Sequence, residues 1–236
     1  MCGIAAIFDA TGRREVDRAL LARMTSALAH RGPDGEGFHV EPGLGLGHRR
    51  LAIVDAEGGA QPMASARGDV VVAFNGEVYD HAALARRLAA AGHRFATRCD
   101  TEVVLRAWEE WGEACVDRLD GMFAFLVWDR RRELLFAARD RLGEKPLHHA
   151  RLDDGTFLLG SEAKALAAHP ALGRRLDPCA IEEFLAYGYI PDPRTILASV
   201  RRLEAGCTLS LRRGERGEPA PRRYWRPRFR ADATLG

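Results

Sequence analysis

The residue with the most distinctive chemistry is a cysteine directly behind the initiator methionine, in the run Met1-Cys2-Gly3-Ile4. Removal of Met1, which is usual before a small side chain, would place a thiol and a free α-amine on one residue. A free thiol titrates near about 8.5 and an α-amine near about 7.7–8.0, so part of the amine is neutral at cellular pH. The amine can then accept the thiol proton and return it to a leaving group. The pattern has two interpretations, an N-terminal nucleophile or a cysteine placed there by accident, and Cys2 alone favours the second because nothing local yet indicates a site.

The rest of the sequence carries none of the common cofactor or metal motifs. It has no GxxxxGK[ST] phosphate loop, no GxGxxG after a strand and no HExxH zinc motif. The glycines in 43–47 have the wrong spacing for a dinucleotide fingerprint. The adjacent His148 and His149 would point to opposite faces of a strand and could not chelate together. We therefore expect no metal site and no cofactor bound by this chain.

Composition indicates an ordinary globular chain. Hydrophobic residues make up 47% and charged residues 29% of the 236 residues, which excludes disorder as the main state. No apolar run approaches the roughly 18 residues that span a bilayer, and the N-terminus lacks the pattern of a secretory signal. The five cysteines form no CxxC pair and are odd in number. We expect free thiols, no membrane association and a cytoplasmic location.

Charge is distributed unevenly along the chain. The last 36 residues hold ten arginines and four acidic residues, and the first 200 hold the remaining 25 basic and 29 acidic residues. A basic tail could bind nucleic acid, but aromatic residues are not interleaved with the arginines beyond Tyr224-Trp225. We expect no nucleic-acid partner and interpret the tail as a solvated connection or a segment that docks on another protein.

Periodicity and turn residues predict alternating groups of strands and helices. Strands are expected at 4–8, 44–48, 51–54, 70–74, 122–128, 133–138 and 156–159. Helices are expected at 15–29, 162–168 and 178–187, from an N-cap at Asp80 to Gly92, and from an N-cap at Asp100 to Gly112. Residues 30–37 are expected to form a loop, and 129–132 the turn of a hairpin. Strand groups separated by helix pairs favour sheets covered by helices on both sides.

Several ordered motifs give the chain a family resemblance. Together they resemble the class II glutamine amidotransferase domain, an N-terminal-nucleophile (Ntn) hydrolase, and most closely the glutaminase half of glutamine-dependent asparagine synthetases. The resemblance runs from residue 2 to about 210. Its motifs are Met1-Cys2-Gly3-Ile4, Arg31-Gly32-Pro33-Asp34-Gly35, His48-Arg49-Arg50-Leu51-Ala52-Ile53-Val54-Asp55, Phe74-Asn75-Gly76-Glu77-Val78-Tyr79, Asp100-Thr101-Glu102, Asp120-Gly121-Met122-Phe123-Ala124-Phe125, Ala138-Arg139-Asp140-Arg141-Leu142-Gly143-Glu144-Lys145-Pro146-Leu147 and Ser161-Glu162-Ala163-Lys164-Ala165-Leu166.

The resemblance implies a fold and a set of roles. It implies an α+β fold, a four-layer αββα sandwich with two mostly antiparallel sheets between helix layers. Cys2 would form a γ-glutamyl thioester, with the Asn75 side-chain amide and the Gly76 N–H as the oxyanion hole. Arg50 would hold the α-carboxylate of glutamine, and Asp100 and Glu77 its α-ammonium group. Leu51, Ile53 and Val54 complete the implied substrate site.

Each of these residues also has a structural alternative. Asn75-Gly76 is a hairpin turn signal, Asp100 is a good helix N-cap, and Arg50 could be a surface charge next to Arg49. Taken as a set in this order, the residues favour the functional interpretation.

The resemblance also implies a second part of the enzyme. In the family an ATP-dependent synthetase half carries a Ser-Gly-Gly-x-Asp-Ser loop, which this sequence lacks. We expect a glutaminase domain at 2–211 and a basic connection at 212–236, with ATP and Mg²⁺ used only in a synthetase domain or subunit that would be the partner. A homodimer is a further implication of the family.

Departures from the family pattern at Glu144 and His148-His149 fall in the region that faces the synthetase half. Two alternatives therefore stay open. One is an exopolysaccharide-associated enzyme with an acceptor other than aspartate, and the other is a non-catalytic docking or regulatory domain.

Overall fold

A computed structural model describes residues 1–52, 58–215 and 219–229 of the chain. The strands are β1 (Gly3–Asp9), β2 (Gly35–Glu41), β3 (Leu44–Arg50), β4 (Met63–Ala64), β5 (Val70–Val78), β6 (Gly121–Asp129), β7 (Leu134–Arg139), β8 (His148–Arg151), β9 (Thr156–Gly160), β10 (Arg201–Arg202), β11 (Cys207–Arg212) and β12 (Arg222–Arg223). The α-helices are α1 (Arg18–Ser26), α2 (His81–Ala90), α3 (Asp100–Trp111), α4 (Ala163–Ala167) and α5 (Pro178–Tyr187), and a 3₁₀ helix spans Gly112–Asp117.

The strands form two six-stranded sheets in which every paired strand is antiparallel. The first sheet has the order β10-β8-β9-β1-β3-β2, and the second has the order β12-β11-β7-β6-β5-β4. β6 and β7 form the predicted hairpin, and β6 is buried on both faces because one face packs against the first sheet and the other against the helices.

Three apolar layers hold the sheets and helices together. One layer lies between the two sheets and includes Ile4, Phe8 and Trp128. A second joins the first sheet to α1 and α4, and a third joins the second sheet to α2 and α3. The order helix–sheet–sheet–helix confirms the expected α+β sandwich.

Several local predictions were wrong at their boundaries. The loop predicted at 30–37 includes the start of β2, which pairs with β3 along its whole length. α1 is shorter than predicted because Asp17 caps it by accepting the N–H groups of Ala19 and Leu20. The predicted strand at 51–54 is not seen at 51–52, and 53–54 lie outside the described residues.

The N-cap predictions had different outcomes. Asp80 does precede α2, but its side chain accepts no capping hydrogen bond. Cys99 occupies the N-cap position of α3, so Asp100 is the first helical residue. Its carboxylate accepts the N–H of Val78 on β5. That displacement makes the Asp100 side chain available to the site described below.

The basic segment near the C-terminus contributes to the second sheet. β12 pairs with β11 through Cys207 and Thr208, and the Tyr224 hydroxyl donates to the Arg139 carbonyl at 2.9 Å. None of the helices among the described residues combines the length and the apolar character needed to cross a bilayer.

Asp140 organises the loop after β7. Its buried carboxylate accepts backbone N–H groups from Phe123, Leu142, Glu144 and Lys145 at 2.9–3.2 Å. Hydrogen bonds to a charged group each contribute about 1.5–3 kcal/mol, and a buried acceptor cannot be replaced by water.

We expect Asp140→Asn to lower the free energy of unfolding by about 2–3 kcal/mol, because an amide offers a single acceptor oxygen to these donors. Chemical denaturation would measure the change. The matched control is Asp120→Asn, which removes an exposed ion pair to Arg141 and should change stability by less than about 0.5 kcal/mol. Equal losses in the two variants would contradict this account.

Candidate active site

The alternation of side chains along three strands brings the predicted residues to one end of the gap between the sheets. On β1 the even-numbered residues face the other sheet, and on β5 the odd-numbered residues do so. Cys2 precedes β1, and the register of Gly3 with Arg49 sets Cys2 beside Arg50. Asn75 lies on the facing side of β5. The nucleophile and the predicted oxyanion hole therefore come from different sheets.

A cavity of about 90 Å³ lies at this end of the gap. It is lined by all the predicted site residues that the structure describes, namely Cys2, Arg50, Leu51, Asn75, Gly76, Glu77 and Asp100. Ile53 and Val54, also predicted, lie outside the described residues.

The Cys2 thiol lies against the backbone of Leu51. The Leu51 N–H donates to Cys2 Sγ at 3.4 Å, and Sγ lies 3.8 Å from the Leu51 carbonyl oxygen. Burial raises the pKa of the Cys2 thiol, while the Leu51 N–H, the N-terminal ammonium and Arg50 lower it in part. Because the net shift is upward, the thiol is protonated at neutral pH and needs a base to become a nucleophile.

The Arg31–Gly35 motif holds the backbone around the thiol. The Arg31 guanidinium donates to the Cys2 carbonyl at 2.8 Å and forms an ion pair with Glu162 at 2.9 Å. Asp34 donates its N–H to the Arg50 carbonyl and accepts the Ala52 N–H at 2.9 Å. Gly32 is required because a Cβ there would lie 2.3 Å from the Arg49 carbonyl carbon. The motif thus places Leu51 against Cys2.

Within the described residues, β5 has an unpaired edge at the site because its neighbour β4 is two residues long. The backbone groups of Val70 and Val72 point toward β4, so by alternation those of residues 74, 76 and 78 point to the same edge. At the outer two of these positions, Phe74 and Val78, side chains accept the backbone N–H. Gln61 accepts the Phe74 N–H at 2.6 Å, and Asp100 accepts the Val78 N–H at 3.2 Å.

Gly76 lies between these two satisfied positions, with its N–H directed to the open edge. No partner for this N–H is seen among the described residues. A Cβ at Gly76 would lie 2.2 Å from the Met122 carbonyl oxygen of β6, so this position requires glycine. The arrangement presents an N–H donor at the cavity wall, as an oxyanion hole requires.

Asn75 provides the second donor. Its side chain is 1% exposed, and neither Oδ1 nor Nδ2 has a hydrogen-bond partner within the described part of the chain. An unsatisfied buried amide costs about 1–3 kcal/mol, and such groups cluster at functional sites. Asn75 is also the single asparagine of the sequence. Its geometry fits a group that is satisfied by substrate.

Two carboxylates at the start of α3 have opposite electrostatic environments. Burial raises the pKa of Asp100, against the opposing effects of the Val78 N–H and His81. Burial also acts to raise the pKa of Glu102, but hydrogen bonds from Thr97, Ala96 and Arg106 outweigh it and lower that pKa. The charge of Asp100 is therefore only partly compensated, whereas the hydrogen bonds and the Arg106 ion pair of Glu102 outweigh its burial. A ligand ammonium group would supply the charge that Asp100 lacks.

Four further residues of the site had no assigned role from the sequence. Gln61, Lys145 and Thr101 line the cavity, and His48 lies behind it. Lys145 is 7% exposed, and its Nζ lies 3.4 Å from Met1 Sδ. His48, Thr101 and Lys145 belong to motifs that were identified, but nothing in the local sequence distinguishes their roles from packing. No group of three or more His, Cys, Asp or Glu residues able to hold a metal is seen in the ranges the structure describes.

Comparison with solved structures defines the fold class. Glutamine phosphoribosylpyrophosphate amidotransferase from Bacillus subtilis, solved with ADP and GMP, aligns with a TM-score of 0.67 and 19% identity over 95% of this chain and 49% of that one. At this identity the likeness concerns the fold alone. It shows that the chain shares the sandwich fold of the matched part of that enzyme.

Sequence comparison gives the family. The chain belongs to the glutamine amidotransferase domain family, whose model matches residues 1–225. It is 45% identical to asparagine synthetase (glutamine-hydrolyzing) 3 of Bacillus subtilis over 214 residues, 89% of this chain and 35% of that protein. It is 34% identical to a putative asparagine synthetase of Methanocaldococcus jannaschii over 87% of this chain and 43% of that protein. The chain thus spans well under half the length of these relatives.

We expect Asp100→Asn to raise the free energy of unfolding at pH 7, because it removes a buried charge whose pKa is raised. The gain should be complete above the folded-state pKa of Asp100 and should vanish below its unfolded value of about 3.9. Urea denaturation between about pH 3 and pH 7 measures this dependence.

The neighbouring Glu102→Gln variant is the matched control of opposite sign. Because the folded state lowers the pKa of Glu102, this variant should lose about 1–3 kcal/mol at pH 7, and the loss should shrink as pH falls through the folded pKa. Destabilisation of both variants to the same extent would contradict the electrostatic assignment.

Proposed function

We propose that this domain hydrolyses the side-chain amide of L-glutamine to glutamate and ammonia through a thioester on Cys2. The observation that carries the proposal is the unsatisfied Asn75 amide beside the open Gly76 N–H, in the same cavity as the Cys2 thiol. A nucleophile facing two unpaired donors is the arrangement that acyl transfer requires.

The charges of the cavity match the two ends of a free amino acid. Arg50 supplies a cation for the α-carboxylate, and its planar guanidinium can donate two parallel hydrogen bonds. Asp100 and Glu77 supply anions for the α-ammonium group. This spacing of opposite charges favours glutamine over a neutral amide that lacks them.

The chemistry follows from these positions. With Met1 removed, the Cys2 α-amine takes the thiol proton as sulfur attacks the side-chain carbonyl carbon of glutamine. Asn75 Nδ2 and Gly76 N–H donate to the resulting oxyanion. Collapse of the tetrahedral intermediate breaks the C–N bond, and the amine returns its proton to the leaving ammonia. Water then attacks the thioester by the same route, releasing glutamate and restoring the thiol.

Removal of Met1 is part of the proposal. Met1 lines the cavity, with its thioether against Lys145 and 3.9 Å from Arg31. As long as Met1 is present, the nitrogen of Cys2 is an amide and cannot act as a base. Its removal would both enlarge the cavity and create the α-amine.

For the whole protein, we propose the ammonia-supplying half of an asparagine synthetase-type enzyme, as the names of the relatives suggest. ATP and Mg²⁺ would be used in a synthetase domain or subunit, and this domain would need no cofactor of its own. A cytoplasmic location and a homodimer remain part of the proposal.

The direct test combines intact mass with glutamine turnover. We expect the mass of the chain without Met1, and release of glutamate and ammonia that Cys2→Ala abolishes. The matched control is Cys179→Ala, which removes an exposed thiol and should leave turnover unchanged. Turnover that survives Cys2→Ala, or a processed chain without turnover, would refute the proposal.

We further expect Asn75→Ala to lower kcat by about 10²–10³, because one oxyanion donor is lost. The KM for glutamine should change by less than about threefold, since that donor acts on charge formed in the transition state. Steady-state kinetics on L-glutamine measure both constants. A rise in KM with unchanged kcat would assign Asn75 to ground-state binding instead.

A further inference from the structure

We propose that His48 is a positioning residue for the oxyanion hole, acting through the Phe74 carbonyl across the gap between the two sheets. The inference rests on the proposed function, because it concerns the groups that would stabilise the transition state. His48 makes no contact with the substrate in this proposal and acts by fixing the peptide that leads into Asn75.

The hydrogen bond of His48 joins strands of different sheets. His48 lies on β3, paired with Ile4 of β1, two residues before Arg50. Its side chain is 0% exposed, and Nε2 lies 3.0 Å from the carbonyl oxygen of Phe74 on β5. The strand beside the nucleophile is thereby tied to the strand that carries Asn75 and Gly76.

The peptide unit that His48 contacts is restrained on both sides of Phe74. Gln61 accepts the Phe74 N–H, and His48 donates to the Phe74 carbonyl, because the open edge of β5 offers no strand partner there. The Phe74 carbonyl and the Asn75 nitrogen belong to one planar peptide group. Fixing this carbonyl therefore fixes the direction in which the Asn75 side chain leaves the strand.

The protonation state of His48 is determined by its surroundings. The Phe74 carbonyl can only accept, so Nε2 must carry the proton. Burial, together with the charge of Arg50, lowers the pKa of His48 to about 4, against the opposing effect of the Phe74 carbonyl. The ring is neutral at neutral pH, and Nδ1 has no partner among the described residues. An imidazole with one unsatisfied nitrogen is a costly way to fill a core position, and an apolar residue would avoid that cost.

The test compares two substitutions at His48 in the processed chain. His48→Leu fills the space without a donor, whereas His48→Gln keeps an Nε2 donor at a similar distance from the backbone. We expect His48→Leu to lower kcat by about 10–10² with KM within about threefold, because a displaced donor weakens transition-state binding. His48→Gln should recover most of kcat. Equal activity of the two variants, whether both are impaired or both are normal, would overturn the proposal.

The control for loss of a buried imidazole is His148→Leu. His148 is also buried, and burial also lowers its pKa to about 4. Its Nδ1 donates to the Ser161 carbonyl at 3.2 Å, and its Nε2 accepts from Arg202 Nε at 3.4 Å. We expect it to lose stability while keeping kcat within about twofold of the parent, since β5 is untouched. A loss of kcat equal to that of His48→Leu would attribute the effect to general destabilisation and overturn the proposal.

A spectroscopic readout separates this inference from the proposed function. Because Asn75 is the single asparagine, labelling with ¹⁵N-asparagine yields one asparagine side-chain NH₂ signal. That signal should shift in His48→Leu, return toward its parent position in His48→Gln and stay unchanged in His148→Leu. An unmoved signal in His48→Leu overturns the role of His48. A parent chain without glutamine turnover would instead refute the proposed function. The NMR signal would still test the positioning role of His48, because it does not depend on turnover.

Discussion

The site depends on one backbone constraint, the incomplete pairing of β5. β4 ends after two residues, so the edge of β5 beyond it carries N–H and C=O groups that no strand of the described residues pairs with. Buried backbone groups need partners, and here the partners are the side chains of Gln61, His48, Asp100 and His81. Gly76, between the bonded positions, keeps its N–H available to a ligand. The short β4 thus leaves room both for the side chains that bond this edge and for the cavity.

The same region concentrates features that weaken a folded protein. Asn75 has two buried polar atoms without partners, and Asp100 is a buried carboxylate whose charge is poorly compensated. Each is unfavourable in the empty domain and becomes favourable when an amide oxyanion or an ammonium group arrives. The surrounding layers supply the stability that this requires, since all three apolar clusters are formed from buried side chains of the strands and helices. The destabilising groups, Asn75 and Asp100, therefore lie at one end of the sandwich, and the apolar layers that stabilise the fold occupy the rest.

The sequence predicted the fold class, a candidate nucleophile and seven of the fifteen described residues that line the cavity, but for different reasons. Cys2 was a candidate because of its own chemistry, and the other motifs were needed to favour a catalytic role for it. Asn75, Arg50 and Asp100 were identified through motif resemblance, and the structure supplies the physical reasons. Gly76 requires glycine because of Met122 on the neighbouring strand, a contact across 46 residues that no local pattern contains.

The missed elements have physical explanations too. β8 contains two histidines and an arginine, so it lacks an apolar run, yet its alternation of buried and exposed residues is that of a strand. The Asp100 prediction was wrong in its local role because tertiary contact with β5 prevailed over the preference of aspartate for the N-cap. His48 was visible only as part of a motif, since a bond between two sheets depends on how they pack and not on either strand alone.

The pairing of β12 with β11 has a consequence for the exposed edge of the second sheet. Without β12 the second sheet would end on β11, whose alternating apolar residues would form a bare edge able to recruit strands from other molecules. β12 covers part of that edge with Arg222 and Arg223, two exposed cations that repel a further strand. The basic segment therefore blocks part of the β11 edge from pairing with another strand, an effect that its charge alone would not have revealed.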